Sequence, residues 1–178
     1  MRGRDIKKYG YVENGLFLIN THNGIRGKLP RIDINDYPAV KAHLDRYWDK
    51  ISARADKGDT PYNLRNCAYL EDFNKPKIIY PDICTFLSFE LDTSCFYLSN
   101  TAYFLITEKE EHLKYFLRVL NSSVMDWYYR TLSVQLGEKA VRMFSIYVLN
   151  IPIPPISDEP IEEILKLSKE EKLFISGS

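Results

Sequence analysis

Residues 77–107 read KIIYPDICTFLSFELDTSCFYLSNTAYFLIT, and the way this stretch folds decides the class of the whole chain. Four runs within it, 77–80, 86–91, 95–98 and 101–107, are dense in Ile, Leu, Phe and Tyr, whose branched or aromatic side chains suit a pleated, half-buried surface. Pro81-Asp82, Asp92-Thr93-Ser94 and Ser99-Asn100 separate the runs with turn-forming residues. Connections this short leave no room for a crossover helix, so the strands are read as an antiparallel meander.

Beyond Glu110 the period changes. Leu113, Phe116, Leu117, Leu120, Val124, Trp127 and Tyr128 keep to one helical face, and Asn121-Ser122-Ser123 is where the run breaks into two helices. Upstream, Asp36 is a cap and Pro38 suits a first turn, with Val40, Leu44, Tyr47, Trp48 and Ile51 at helical spacing until Lys57-Gly58-Asp59. Residues 59–75 have no clean period and read as a long ordered loop with a short helix. Residues 10–20 read as a hairpin turning at Glu13-Asn14-Gly15, and 146–153 as a last apolar strand. Ile161, Ile164, Leu165 and Leu173 mark a final amphipathic helix. The expected fold is α+β: a twisted, mostly antiparallel sheet with helices packed on one side, in a single compact domain. Residues 1–156 carry it, and 157–178 form a C-terminal amphipathic helix and tail.

At 178 residues and 45% hydrophobic content, the chain is long enough to build an ordinary core. Cys67, Cys84 and Cys95 are widely spaced and odd in number, which indicates neither a disulfide framework nor a zinc site and fits a reducing cytoplasm. Met1 to Lys8 are charged where a signal peptide would be apolar, and no stretch approaches the ~18 apolar residues of a membrane span. Zero net charge argues weakly against a nucleic-acid partner, but it hides an asymmetry. Residues 2–8 hold Arg2, Arg4, Lys7 and Lys8 against Asp5, while six acids stand against three lysines in 158–172.

The residues then form a recognisable order. Gly3-Arg4-Asp5-Ile6-Lys7-Lys8-Tyr9 is followed by Tyr37-Pro38-Ala39-Val40, Leu44, Arg54, Tyr62-Asn63-Leu64 and Phe73-Asn74-Lys75-Pro76-Lys77-Ile78-Ile79. Tyr97 with Asn100-Thr101-Ala102-Tyr103-Phe104, then Leu117-Arg118-Val119-Leu120-Asn121-Ser122, then Leu149-Asn150-Ile151-Pro152-Ile153-Pro154 complete it. As an ordered set this resembles the C-terminal specificity domain of TaqI-like adenine methyltransferases and of fused type IIG restriction-methylation enzymes. The resemblance implies a target recognition domain that lays loops into a groove of double-stranded DNA. In such a parent a separate methyltransferase domain, using S-adenosylmethionine, modifies a flipped adenine, and a nuclease domain would use Mg. For this chain it implies no catalytic residue and no cofactor. Asn150-Ile151-Pro152 is not the Asn-Pro-Pro-aromatic element that holds an extruded amine, and Gly24-Ile25-Arg26-Gly27 is not a cofactor-binding Gly-rich turn. A specificity motif directly after Met1 reads as a segment of a longer protein.

Four stretches hold the candidate DNA contacts. Arg2, Arg4, Lys7 and Lys8 are either a solvated strand edge or a phosphate clamp, and the resemblance favours the clamp. Arg4 beside Asp5 is the candidate for an arginine steadied by a carboxylate and turned to guanine. Thr21, His22, Asn23, Arg26 and Lys28 lie in a Gly-punctuated loop, which is a surface connection or a base reader. Lys57, Tyr62, Asn63, Arg65 and Asn66 form a second such loop, where Tyr62 and Leu64 have anchoring as their other role. Lys139 and Arg142 stand in a third, less Gly-rich than the family pattern. Trp48, Trp127 and Tyr128 lie on apolar helical faces and are read as core rather than stacking residues.

Three other readings are weighed. Pro81-Asp82 and Glu90-Leu91-Asp92 faintly resemble a metal-dependent nuclease, but no lysine follows at the required spacing. A half-specificity unit of a type I system would carry coiled-coil spacers, and no heptad is sustained here. A protein-interaction module would share the loops but not a steep dependence on salt. His22, His43 and His112 are too scattered for a metal triad. Cys67 reads as a buried structural thiol.

Overall fold

A computed structural model describes residues 1–177. The chain resolves into two compact units, Met1–Leu16 with everything from Phe73 onward, and Phe17–Asp72. The first unit opens with a 3-10 turn, Gly3–Asp5, and a tight hairpin of β1 (Ile6–Lys7) and β2 (Gly10–Tyr11) paired Ile6↔Tyr11 and Lys7↔Gly10. The hairpin expected at 10–20 therefore forms earlier in the sequence. Its physical cause is Asp5, whose carbonyl accepts Val12 N at 2.7 Å and whose carboxylate takes the Asn14 side-chain amide, while Tyr9 adopts φ 56 in the turn.

The second unit, Phe17–Asp72, contains a 3-10 turn at Ile34–Asp36 and the helices α1 (Pro38–Asp45) and α2 (Trp48–Ser52). Asp33 caps the 3-10 turn, accepting Asn35 N at 2.9 Å, and the cap on α1 expected from Asp36 does not form, since no side chain caps that helix. Tyr37, pushed out of the helical region by the proline after it, begins α1 with Pro38 at its first turn. The apolar stripe read across 40–51 is interrupted at Tyr47, at φ −115 and ψ 20, so one expected helix is two.

Back in the first unit, β3 (Lys77–Pro81) is buried along its whole length. After β4 (Ile83–Cys84), β5 (Glu90–Asp92) and β6 (Ala102–Leu105) flank β3 antiparallel, in the order β5-β3-β6. The 95–98 run is not a strand, because both oxygens of Asp92 accept backbone N–H groups, from Ser94 at 2.8 Å and Phe96 at 2.9 Å, and Cys95 turns over at φ 60. Directly across the sheet Lys77 pairs with Asp92 at 2.6 Å, both side chains fully buried, and Lys77 also donates to the Phe73 carbonyl at 2.8 Å.

The helices α3 (Leu113–Leu120) and α4 (Ser123–Leu132) follow, broken where the sequence placed the break. Ser122 caps α4 by accepting Met125 N at 3.2 Å. Asn121, buried, clamps β5's approach by accepting Phe89 N at 3.0 Å and donating to Phe89 O at 2.9 Å. A third small sheet, β4-β8-β7, joins β7 (Gln135–Leu136) and β8 (Ala140–Arg142) through a turn at Gly137, φ 67. The strand expected at 146–153 is instead one helical turn, α5 (Ser145–Val148), and an extended tail. Pro152, Pro154 and Pro155 lack the N–H a strand would donate, and the carbonyls of Pro154 and Pro155 accept the Tyr115 hydroxyl at 3.2 and 2.8 Å. The last amphipathic segment divides into α6 (Ile161–Ile164) and α7 (Lys169–Ser176), with Lys166 at φ 54 between them.

The fold is thus α+β, its described strands grouped in three small antiparallel sheets instead of one. Tyr80 and Phe89 from the β3–β5 layer, Val119 and Tyr129 from α3 and α4, Met143, and Ile161 and Ile175 from the C-terminal helices share one apolar cluster. Burial raises the Cys84 thiol to about 12, which makes it an inert part of that cluster. No helix among the described residues is long and apolar enough to cross a membrane.

Candidate nucleic-acid interface

The second unit builds a cleft of about 860 Å³ from the loop 23–31 and from Asp59, Asn66, Cys67 and Ala68. Its scaffold is polar. Asn63, 2% exposed, donates to the carbonyl of Ile32 at 3.0 Å and more loosely to that of His22 at 3.4 Å, and its own oxygen accepts the Thr60 hydroxyl at 2.6 Å. Buried Thr21 gives its hydroxyl to the Tyr62 carbonyl at 2.7 Å, and Arg54 ties down the carbonyls of Pro61 and Asn63 at 3.1 and 3.0 Å. Gly24 has to be glycine: φ is 76, and a Cβ there would lie 2.4 Å from the Leu29 carbonyl oxygen. The chain then closes a small loop, Ile25 bridging Leu29, whose tip presents Arg26, Gly27 and Lys28 to solvent.

Within this frame the candidate readers divide by what already holds them. The Asn23 amide is engaged at both ends, donating to Asp59 Oδ1 at 2.9 Å and Asn66 Oδ1 at 2.5 Å and accepting Asp59 N at 2.9 Å. His22 Nδ1 accepts Gly24 N at 3.2 Å. Lys28 is ion-paired with Glu71, and Lys57 donates to the Ser52 carbonyl at 2.7 Å. The Tyr62 ring lies 5.4 Å from both the Lys41 ammonium and the Trp48 ring, and its hydroxyl donates to Asp45 at 2.5 Å. That hydroxyl, and after it Lys41, hold the Asp45 carboxyl below the usual carboxylate range. Trp48, read as core, is 44% exposed and packs against Tyr62. Arg26 and Arg65 are exposed, and no partner is found for either side chain among the described residues.

In the first unit Arg2 is spent on Asp5, with Nε at 2.9 Å and Nη2 at 3.2 Å. The expectation that Arg4 and Asp5 form a pair is corrected by the 3-10 turn, which brings residues three apart together and sends Arg4 outward. Arg2 holds the Asp5 carboxyl below its ordinary range. Lys7 reaches the Arg4 carbonyl at 2.9 Å, and Lys8 is exposed. Lys139 stands exposed at the β7–β8 turn, whereas Arg142 lies 4.0 Å from Asp82 and 5.4 Å from the Phe144 ring centre. Asp82 and Asp92, carboxylates of the nuclease alternative, thus face Arg142 and Lys77. Among the described residues no group of three or more His, Cys, Asp or Glu could hold a metal ion.

The model of the TaqI-like C-terminal specificity domain matches residues 1–153. The chain belongs to that family. As a TaqI-like specificity domain it is of the DNA-recognition kind found in restriction-modification enzymes, a kind that is typically non-catalytic. No curated protein matches the chain. Reading by sequence missed Arg31 and Asp59, which line the same cleft with Nη1 and Oδ2 at 3.9 Å. Arg31 stands three residues beyond the polar loop singled out, but nothing local in the sequence ties it to a residue 28 positions later.

Proposed function

We propose that the chain recognises a specific sequence in double-stranded DNA as the target recognition domain of a cytoplasmic restriction-modification enzyme. In this reading residues 1–156 are the recognition domain and 157–178 an appended helical tail. The parent is an adenine methyltransferase that uses S-adenosylmethionine, fused to a Mg-dependent endonuclease, and its methyltransferase domain is the protein partner. The observation that carries the reading is the family match over 1–153. Supporting it, Arg4, Lys8, Arg26, Arg65 and Lys139 all project exposed cationic groups, which supply sequence-independent affinity for phosphates. Phe17, 96% exposed, and Leu18, half exposed, give the second unit an apolar beginning that suits a contact with the partner domain.

The test is a salt titration of the full chain on duplex DNA, with sequence selection from a randomised pool. Binding weakens steeply as salt rises, and the selected duplexes share a motif. Replacing Arg4 and Lys8 together by Ala flattens the salt slope by about two, one per lost phosphate contact, and leaves the motif unchanged. Salt-insensitive binding, or selection of no motif, would overturn the reading in favour of a protein-interaction module.

A further inference from the structure

The three cations lining the cleft differ in what stands beside them. Lys28 is neutralised by Glu71, Arg31 faces Asp59 at 3.9 Å, and Arg26 has no partner among the described residues. The difference sorts their ligands. A phosphate carries a full negative charge and favours a cation whose field is uncancelled, so a carboxylate beside the guanidinium weakens that attraction. A guanine edge is neutral and offers two acceptors, O6 and N7, in a fixed geometry that rewards a guanidinium held in one orientation.

Asp59 is held in a fixed place from which its charge can bias the guanidinium. Its Oδ1 accepts Asn23 Nδ2 at 2.9 Å and its backbone N donates to Asn23 Oδ1 at 2.9 Å, while Asn23 continues to Asn66 at 2.5 Å. Close packing fixes the same corner, since a Cβ on Gly58 would lie 2.5 Å from Asn23 Oδ1. Oδ2 is the atom turned to Arg31 Nη1; at 3.9 Å it is beyond hydrogen-bond distance, so it draws that end of the guanidinium by charge alone and leaves every donor of the fork free. Both side chains stay open to solvent, Arg31 at 41% and Asp59 at 63%.

We infer that Arg31 is a specificity-determining residue that reads a guanine in the major groove, with Asp59 its positioning residue and Arg26 a neighbouring phosphate contact. This rests on the DNA-recognition reading above. The pair Asn23 and Asn66, both candidates for direct readout, act in it through Asp59.

The experiment is sequence selection and salt titration on the full chain with R31A, R31K, D59N and R26A, folding being checked by thermal melting. R31A and R31K lose discrimination for guanine at one position of the motif by about 5- to 150-fold, because an ammonium cannot reproduce the fork. R31K keeps the salt slope of the unsubstituted chain. D59N relaxes the same position and steepens the slope, since a cancelled charge is released. R26A keeps the motif, weakens all duplexes alike and lowers the slope by about one. An R31A that weakens all duplexes alike with the motif intact makes Arg31 a phosphate contact and overturns the inference alone. D59N with an unchanged motif overturns the positioning role. No motif in the unsubstituted chain overturns both the inference and the reading beneath it.

Discussion

The two units are held together by different physics. The unit containing β3 to β8 buries a continuous apolar cluster from Ile78 and Tyr80 through Val119 and Tyr129 to Ile175. In residues 17–72 the buried large side chains, among those described, are apolar Ile34 and Leu70 beside polar Thr21 and Asn63. Hydrophobic burial is non-directional: it makes a unit compact but tolerates small shifts. Hydrogen bonds to buried carbonyls are directional, so the second unit fixes where its backbone goes. A loop that must meet base edges needs placement more than it needs a large core, and Asn63, Thr21 and Arg54 supply it.

The exception inside the apolar unit is where the contrast can be broken most visibly. Lys77 and Asp92 face each other at 2.6 Å with no exposure at either side chain. Lys77→Met leaves a carboxylate buried without its counter-charge and costs about 3–5 kcal/mol in urea unfolding, a loss that Asp92→Asn added to it restores only in part, since an amide keeps one of the two acceptors that Ser94 N and Phe96 N use. Additive losses from the two substitutions would mean that the sheet register, and not the charge pair, sets the cost.

The second unit breaks in a different way. Asn63→Ala removes the donor to Ile32 and the acceptor for Thr60 and strands buried polar groups, at about 1–3 kcal/mol. Amide exchange sharpens the comparison: protection falls within 17–72 while Ile78, Ile79 and Phe104 keep theirs. Equal loss in β3 and in the loop would show that the two units open as one.

The same contrast explains what was legible in the sequence. Strands at 77–80 and 101–107 and the break at Asn121-Ser122 follow from periodicity and turn chemistry, because an apolar face announces itself in one dimension. The 10–20 hairpin and the 95–98 strand fail because single carboxylates, Asp5 and Asp92, capture backbone N–H or side-chain amide groups and redirect the chain. Of the site, the loops and their cations were visible as composition. Which polar groups were already paired was not, since Glu71 with Lys28, Asp59 with Arg31 and Asp45 with Tyr62 join residues 17 to 43 positions apart.

The smallest expected effect concerns that last contact. Tyr62 is a candidate base reader or anchor whose hydroxyl is committed to Asp45, with Lys41 the weaker second influence on the carboxyl. A carboxyl whose folded pKa lies below its unfolded one stabilises the fold above the unfolded value, about 4, and loses that contribution as pH falls through the lower folded value. Acidification below about pH 4 therefore loosens α1 against the 60–63 loop. Tyr62→Phe removes the larger cause, so the Asp45 titration, followed by carboxyl NMR, moves up toward the ordinary range, and further than it does in Lys41→Met. The substituted ring keeps its neighbours Trp48 and Lys41, 5.4 Å from each. If Tyr62 serves the fold, Tyr62→Phe removes stability at neutral pH, reduces the acid sensitivity because less of the Asp45 shift is left to lose, and leaves DNA affinity at neutral pH unchanged. If instead the ring leaves Asp45 to stack on a base, freeing it raises affinity, because the hydroxyl no longer has to be detached before binding.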